Sequence, residues 1–268
     1  MKLAIAWEVD AVLTASAAFA NVRQSHLSAE TGSLGDAPTW HPKCTWRAGM
    51  ERLGALIVVT AEPAQSRTGD SLGTEPAEGL AAQPGWINGA SWTSMDDHRL
   101  SLATYDLTSI GVLDDASRDS QAEAGTSGSW ILQQRSSVDL NDARAGWYEC
   151  EQLTPGDLVA PPNAEYLYLF RFKVDQQAEE EWNRWYNEEH IPALAAVAGT
   201  RSARRFRARQ PDAQGRTYLS MYHLESPDLP RTTAWRKAAD TEWSLRIRVH
   251  HQDRKDVRIF TRSNLERK

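Results

Sequence analysis

The segment LAAQPGWINGASW (80–92) lies over LAAVAGTRSARRF (194–206) at a constant offset of 114 residues. Leu80 falls on Leu194, Ala81 on Ala195, Ala82 on Ala196 and Gly85 on Gly199, and Trp92 faces Phe206. Beyond a loop that differs by three residues, LATYDLTS (102–109) covers LSMYHLES (219–226), which pairs Leu102, Tyr105, Leu107 and Ser109 with Leu219, Tyr222, Leu224 and Ser226. A repeat of this length is a whole supersecondary unit, so the chain is expected to build its fold twice from one plan.

Each copy reads strand, helix, strand, strand, helix, strand, the βαββαβ order of a ferredoxin-like unit. In the second copy, YLYLFRF (166–172) alternates aromatic and aliphatic residues, as a strand buried on both faces would. A helix is predicted from about Ala178, broken before Pro192, restarted on that proline and closed by Gly199. Strands TRSARRFRA (200–208) and TYLSMYHL (217–224) follow around a turn through PDAQG (211–215), then a helix carrying Trp235, then strands SLRIRV (244–249) and DVRIF (256–260).

In the first copy strand ALIVVTA (55–61) is clear. The Gly- and Pro-rich SRTGDSLGTEP (66–76) shortens the first helix. Strands near 86–93 and 100–107, a helix near 110–123 and strands near 129–134 and 145–149 complete it. The proline-bearing linker LTPGDLVAPPNA (153–164) separates the copies. The expected organisation is a partly helical extension over 1–52, a degenerate repeat over 53–152 and a second repeat over 165–262. The stretch 11–24 reads as helical.

Of the 268 residues, 1–160 carry a net charge of −11 and 161–268 carry +5. That split suits two mutually attracting units better than a nucleic-acid binder, whose whole domain would be basic. Cys44 and Cys150 stand far apart with no CxxC, the pattern of cytosolic thiols. Lys2 precedes an apolar stretch, but Glu8 and Asp10 interrupt what an export signal would keep uncharged. No apolar run approaches the ~20 residues of a membrane span. A cytoplasmic protein with neither nucleic-acid nor membrane partners is the expectation.

The run W-x-x-W-Y-N-x-E-H-I-P-x-L (182–194), followed by S-A-R-R-F (202–206) and Y-L-x-M-Y-x-L-x-S-P (218–227), resembles the dimeric α+β barrel superfamily, in particular its EthD-like and stress-response barrel branches. The resemblance covers about 165–262 directly and 54–150 through the internal repeat. It implies an α+β fold in which two ferredoxin-like units pack their sheets into one barrel. A tandem copy would make that barrel within one chain, and a homodimer stays an open option. It also implies a histidine at the mouth of the barrel cavity.

On a helix, Trp182, Tyr186 and His190 stack at i+4 intervals, with Trp185 and Glu189 one step around. An imidazole titrating near neutrality among indole rings could act as general base. On strand 217–224, Tyr218, Ser220 and Tyr222 share one face and Leu219, Met221 and His223 the other. Packing leucine and methionine under the helices leaves the tyrosine face to the barrel interior, where Tyr222 could donate to a substrate oxygen. In RSARRFRAR (201–209), alternation separates Arg201, Arg205 and Arg207 from Arg204 and Phe206. Arg204 is the candidate to meet a substrate carboxylate, and most of the remaining arginines are expected to form a solvated face or pair with the acidic first copy. The expected catalytic set is therefore His190, Tyr222 and Arg204, with Trp182, Trp185, Tyr186, Tyr218, Phe206 and Trp92 lining a substrate pocket. For each of these, a core side chain with its polar atoms satisfied is the plain alternative.

GDSLG (69–73) matches the nucleophile-elbow pattern, yet seven residues rather than none separate it from strand 55–61. His41 and Cys44 have ligand spacing but lack a second pair, so no metal is expected. No dinucleotide fingerprint or phosphate loop is present, and no cofactor is expected.

The leading functional expectation is a cofactor-independent lyase or isomerase. It would carry out elimination, isomerisation, cyclisation or decarboxylation of a small hydrophobic or aromatic substrate. Cofactor-independent monooxygenation is the enzymatic alternative, and a noncatalytic barrel that binds hydrophobic ligands or haem is the alternative from another class. Pro76 stands where the offset would put a second histidine, so one site per chain is expected.

Overall fold

The structure is a computed structural model that describes residues 53–61, 84–119, 135–136, 138–153, 159–251 and 255–263. The expected N-terminal extension with its helix over 11–24, the His41/Cys44 pair, GDSLG, Pro76, the strand near 129–134 and linker residues 154–158 lie outside these.

Eight strands form one closed barrel: β1 (Gly54–Ala61), β2 (Trp86–Ser94), β3 (Leu100–Leu107), β4 (Gly146–Leu153), β5 (Tyr166–Phe172), β6 (Thr200–Ala208), β7 (Tyr218–Leu224) and β8 (Lys255–Arg262). Around the barrel they run β1-β3-β2-β8-β5-β7-β6-β4, and every pairing is antiparallel. The first four strands thus stand in the order β4-β1-β3-β2 and the last four in the order β8-β5-β7-β6. Two seams close the ring: β2 meets β8 from Trp92↔Arg262 to Ser94↔Phe260, and β4 meets β6 from Cys150↔Ala208 to Leu153↔Arg205.

Several described residues that the internal offset pairs occupy matching places. Gly85 and Gly199 both adopt positive φ, 93° and 94°, a conformation that only a residue without Cβ enters freely. Each carbonyl then receives a backbone N–H from beyond the third strand, Thr108 to Gly85 at 2.8 Å and Glu225 to Gly199 at 2.9 Å. Both second strands carry a register shift two residues in, between Trp86 and Asn88 and between Thr200 and Ser202.

Helices α1 (Gly111–Asp119), α2 (Glu179–Trp185), α3 (Ile191–Ala195), α4 (Thr233–Ala239) and α5 (Glu242–Ile247) accompany the strands. The buried side chains fall into three clusters. One draws on all eight strands, including Ile57, Trp92, Leu102, Tyr148, Leu169, Phe206, Met221 and Phe260, and is the barrel interior. A second joins Leu56, Val58, Tyr105 and Leu107 to Ile110, Val112 and Leu113 around α1. The third sets Phe172, Ala203, Tyr218, Tyr222 and Leu224 against Trp182, Trp185, Tyr186, Ile191, Trp235 and Ile247.

Three sequence expectations change. The stretch 244–249 is not a strand. Thr241 caps α5 by accepting from the Ser244 N–H, and Ser244 and Ile247, three apart, are buried while Leu245 and Val249 are exposed. Strand alternation would have put Leu245, Ile247 and Val249 on one side. The helix is also not broken before Pro192. A π turn over Tyr186–His190 links α2 to α3, with the Ile191 N–H bonding the Tyr186 carbonyl five residues back. Proline has no N–H to offer the carbonyl four residues before it, and the wider turn absorbs that defect ahead of the ring.

The third change concerns the faces of β7. Leu219, Met221 and His223 point into the barrel, whereas Tyr218, Ser220 and Tyr222 face the helices. The barrel bore takes Leu219 and Met221 among a mixed set of aliphatic and aromatic side chains, while the outer face must meet the broad indoles of α2. Flat phenols suit that layer.

Candidate functional site

The structure gathers six of the nine residues singled out from the sequence into one layer between α2/α3 and the outer faces of β5, β6 and β7: Trp182, Trp185, Tyr186, His190, Tyr218 and Tyr222. The other three, Arg204, Phe206 and Trp92, sit on the opposite side of the sheet, inside the barrel. His190 therefore does not stand at a barrel mouth, and Arg204 cannot share a substrate with it. Period-two geometry sends adjacent strand residues to opposite faces, and Arg204 is one residue from the strand position that faces His190's layer.

His190 closes the π turn and is 7% exposed. Its ring lies 4.3 Å from that of Trp185 and 4.9 Å, edge to face, from that of Tyr186. Trp185 is fixed in turn by donating from Nε1 to Glu189 at 3.0 Å, and Glu189 accepts from Thr241 at the start of α5. Nδ1 of His190 has no hydrogen-bond partner. Burial, reinforced by the nearby cations Arg248 and Arg205 and by His251, holds the imidazole well below its ordinary 6.5. At neutral pH the ring is uncharged and carries a lone pair, which makes it a proton acceptor rather than the half-titrated group expected from the sequence.

Phenols surround it. Tyr186 accepts from Ser220 Oγ at 3.3 Å, and burial pushes its hydroxyl up to about 12. Tyr222 is held well above the usual phenol range by burial and by the neighbouring Tyr186 and Tyr168, and its ring packs 5.4 Å from Trp235 and 6.1 Å from Tyr168. Both phenols stay protonated and can act only as donors or neutral acceptors. Tyr218 donates to Glu179 and accepts from Asn183 Nδ2 at 3.3 Å.

Sequence reasoning passed over the cation of this layer, Arg205, which alternation had already set opposite Arg204. It is 1% exposed. Nη1 donates to Asn187 Oδ1 at 3.0 Å and to the Asn183 carbonyl at 3.5 Å, and Nη2 donates to Asn183 Oδ1. The guanidinium lies 4.6 Å from the Tyr186 ring centroid and 5.5 Å from that of Tyr218. Burial lowers it to about 10, still charged at neutral pH. The spacing Asn183, Asn187 on one helix face was the available signal.

Inside the barrel a separate polar group occupies one end. Arg204 Nη2 meets Asp106 Oδ1 at 2.5 Å and Gln152 Oε1 at 3.3 Å, and Asp106 Oδ2 accepts from the Ala160 N–H at 2.9 Å. Trp92 donates to Thr104 Oγ1 at 3.2 Å. His223 is fully buried 5.7 Å from Trp92, and burial beside Arg204 and Arg262 pushes its imidazole well below 6.5. Arg204 thus pairs with Asp106 of the first half, the outcome expected of the other arginines, and not with a substrate anion as the sequence suggested. An open depression of about 490 Å3 beside Asp175, Gln176 and Gln177 precedes α2 and is lined there by polar side chains; the chemistry of the aromatic layer is the stronger guide to function. Among the described residues no group of three or more His, Cys, Asp or Glu could hold a metal ion, and no helix is long and apolar enough to cross a membrane.

In architecture the chain is similar to a solved anthrone oxidase-like protein, with 15% identity, 81% of this chain and 93% of that one covered, and a TM-score of 0.55. It is also similar to a protein provisionally named a monooxygenase from Fusobacterium nucleatum subsp. nucleatum, with 6% identity, 79% and 93% covered, and a TM-score of 0.53. At these identities the likenesses show a shared fold, here the closed eight-stranded barrel flanked by helices. A family model described as Domain of unknown function (DUF4286) matches residues 165–252, the part that holds the aromatic layer. A search of curated proteins by sequence finds no match.

Proposed function

We propose that the chain is an enzyme that removes a proton from a small hydrophobic or aromatic substrate, with His190 as the base. The carrying observation is a buried, neutral imidazole with an unpartnered Nδ1, set among aromatic rings. The substrate's C–H or O–H proton would pass to the ring nitrogen, and the electron pair left behind would delocalise into the substrate. A dry, low-dielectric layer strengthens each polar contact made to the developing charge. Trp182, Trp185, Tyr186 and Tyr218 would form the walls, and Tyr222, a phenol that stays protonated, would donate to the substrate oxygen. Elimination, isomerisation, cyclisation and decarboxylation can all begin with such a transfer.

A second reading starts from the same step: the deprotonated ring carbon would form a C–O bond to dissolved dioxygen, and cleavage of the O–O bond would release the other oxygen as water with two hydrogens from the same substrate carbon, leaving a carbonyl by cofactor-independent monooxygenation. It is supported by the oxidase-like and monooxygenase names of the two solved neighbours.

We further infer that the barrel is a tandem pair of ferredoxin-like units, the site being carried by the second. The matching strand orders, glycines, register shifts and closing hydrogen bonds support this.

Incorporation of solvent deuterium into a panel of phenols and aryl ketones, followed by NMR, tests the base. Wild-type chain should catalyse exchange and His190→Ala should not; exchange that survives the substitution overturns the assignment. Dependence of turnover on dissolved oxygen separates the two enzymatic readings. A Soret band in purified chain without any exchange would replace both with a binding function.

A further inference from the structure

We infer that Arg205 is an anion-binding subsite, and that the substrate of the aromatic layer is a flat ring bearing an oxyanion, either a carboxylate or an acidic phenol. The inference rests on the helix–sheet layer being the reactive site and deepens that reading by naming the substrate class.

Arg205 is a buried full charge. The other deeply buried arginines each have a carboxylate: Arg171 meets Asp256 at 2.7 Å, Arg204 meets Asp106 at 2.5 Å and Arg216 meets Asp212 at 2.6 Å. Arg205, among the described residues, is held by two asparagines alone. Carboxamide oxygens orient a guanidinium without cancelling its charge, and a buried charge without a counter-ion is costly. Its Nε is buried with no partner, so at least one N–H remains for an incoming acceptor.

The surroundings select what that acceptor belongs to. Tyr186 and Tyr218 lie over the guanidinium, and Tyr186 also touches the His190 ring edge. One phenol therefore bridges the cation and the base. A ligand whose oxyanion meets Arg205 carries its ring into the same aromatic wall, within reach of the neutral imidazole. The cation would also stabilise the charge that builds up when His190 takes a proton. Asn183 and Asn187, on successive turns of the chain that carries His190, act as positioning residues for the guanidinium.

The test uses the whole chain and two matched probe pairs, benzoate with benzamide and 2,4-dinitrophenolate with 2,4-dinitroanisole, followed by tryptophan fluorescence and thermal unfolding. Wild type should bind at least one anion about tenfold or more tightly than its neutral partner, as one charge-assisted hydrogen bond implies. Arg205→Gln should lose the preference, and Arg205→Lys should restore part of it. Equal binding of both members of each pair by wild type overturns the proposal whatever the variants do, as does a preference that survives in folded Arg205→Gln. His190→Ala should keep the preference. Loss of exchange chemistry with retained anion selectivity, or the reverse, thus tells failure of the subsite from failure of the base.

Discussion

The two outer layers of the barrel sit on sheets of the same strand order and are filled differently. Over β1, β3 and α1 the layer is largely aliphatic, with Leu56, Val58, Leu107, Val112 and Leu113. Over β5, β7 and α2 it is aromatic and holds an imidazole and a guanidinium. Matching positions show how little backbone change this needs. β2 and β3 pair Ser91 with Ala103, and β6 and β7 pair Arg205 with Ser220 at the corresponding register. Tyr105 stands where the last four strands have Tyr222. One scaffold thus carries once an aliphatic layer and once an aromatic layer holding an imidazole and a guanidinium, and the difference lies in side chains.

The largest contrast should be in turnover. On a substrate found by deuterium exchange, His190→Ala should lose about 10²- to 10⁴-fold in kcat/KM, the usual worth of a positioned base. Tyr222→Phe should lose about tenfold, and Tyr105→Phe at the matching place should leave kcat/KM unchanged. Equal losses at the two tyrosines would erase the distinction between the layers.

The join between the halves can be broken next. Arg204 and Asp106 are 1% and 5% exposed and link β6 to β3 across the barrel interior. Arg204→Met should cost about 3–5 kcal/mol in chemical denaturation, because Asp106 would be left buried without its ion-pair partner, while Arg204→Met with Asp106→Leu should recover most of the loss.

A pH effect comes third. His190 and His223 both have folded-state pKa values well below the ordinary 6.5. Above 6.5 both states are neutral and stability is level. As pH falls below 6.5 the unfolded chain takes up protons that the folded chain refuses, so stability declines until the folded imidazoles titrate. Each histidine contributes a slope of up to about 1.4 kcal/mol per pH unit. His190→Gln and His223→Leu should each remove one share, measured as unfolding free energy from pH 7 to pH 5. Smallest of all, Asp114→Asn should change stability by about 0–1 kcal/mol, since its bond to Arg209 is solvent-facing.

Much of the fold was legible because the 114-residue offset predicted which strands correspond, and Gly85 and Gly199 marked where β2 and β6 begin. The cluster around His190 was also legible, since i+4 spacing on a helix carries Trp182, Tyr186 and His190 together. What failed was choosing which side of a strand is inside. β7 is buried along its whole length, so polarity gave no clue, and the assumption that aliphatic residues belong under helices inverted Tyr222 and Met221. That error displaced Arg205 in favour of Arg204. Helix α5 was missed because its apolar residues alternate, while the signal that decided it was the cap at Thr241.

The two seams, β2 with β8 and β4 with β6, join strands of a single polypeptide. In a barrel assembled from separate molecules, dilution would open those seams. Here the effective concentration of one half at the other is set by covalent connection, so the melting temperature should be insensitive to how much protein is in the tube, and the aromatic layer should stay assembled at the lowest copy number a cell maintains.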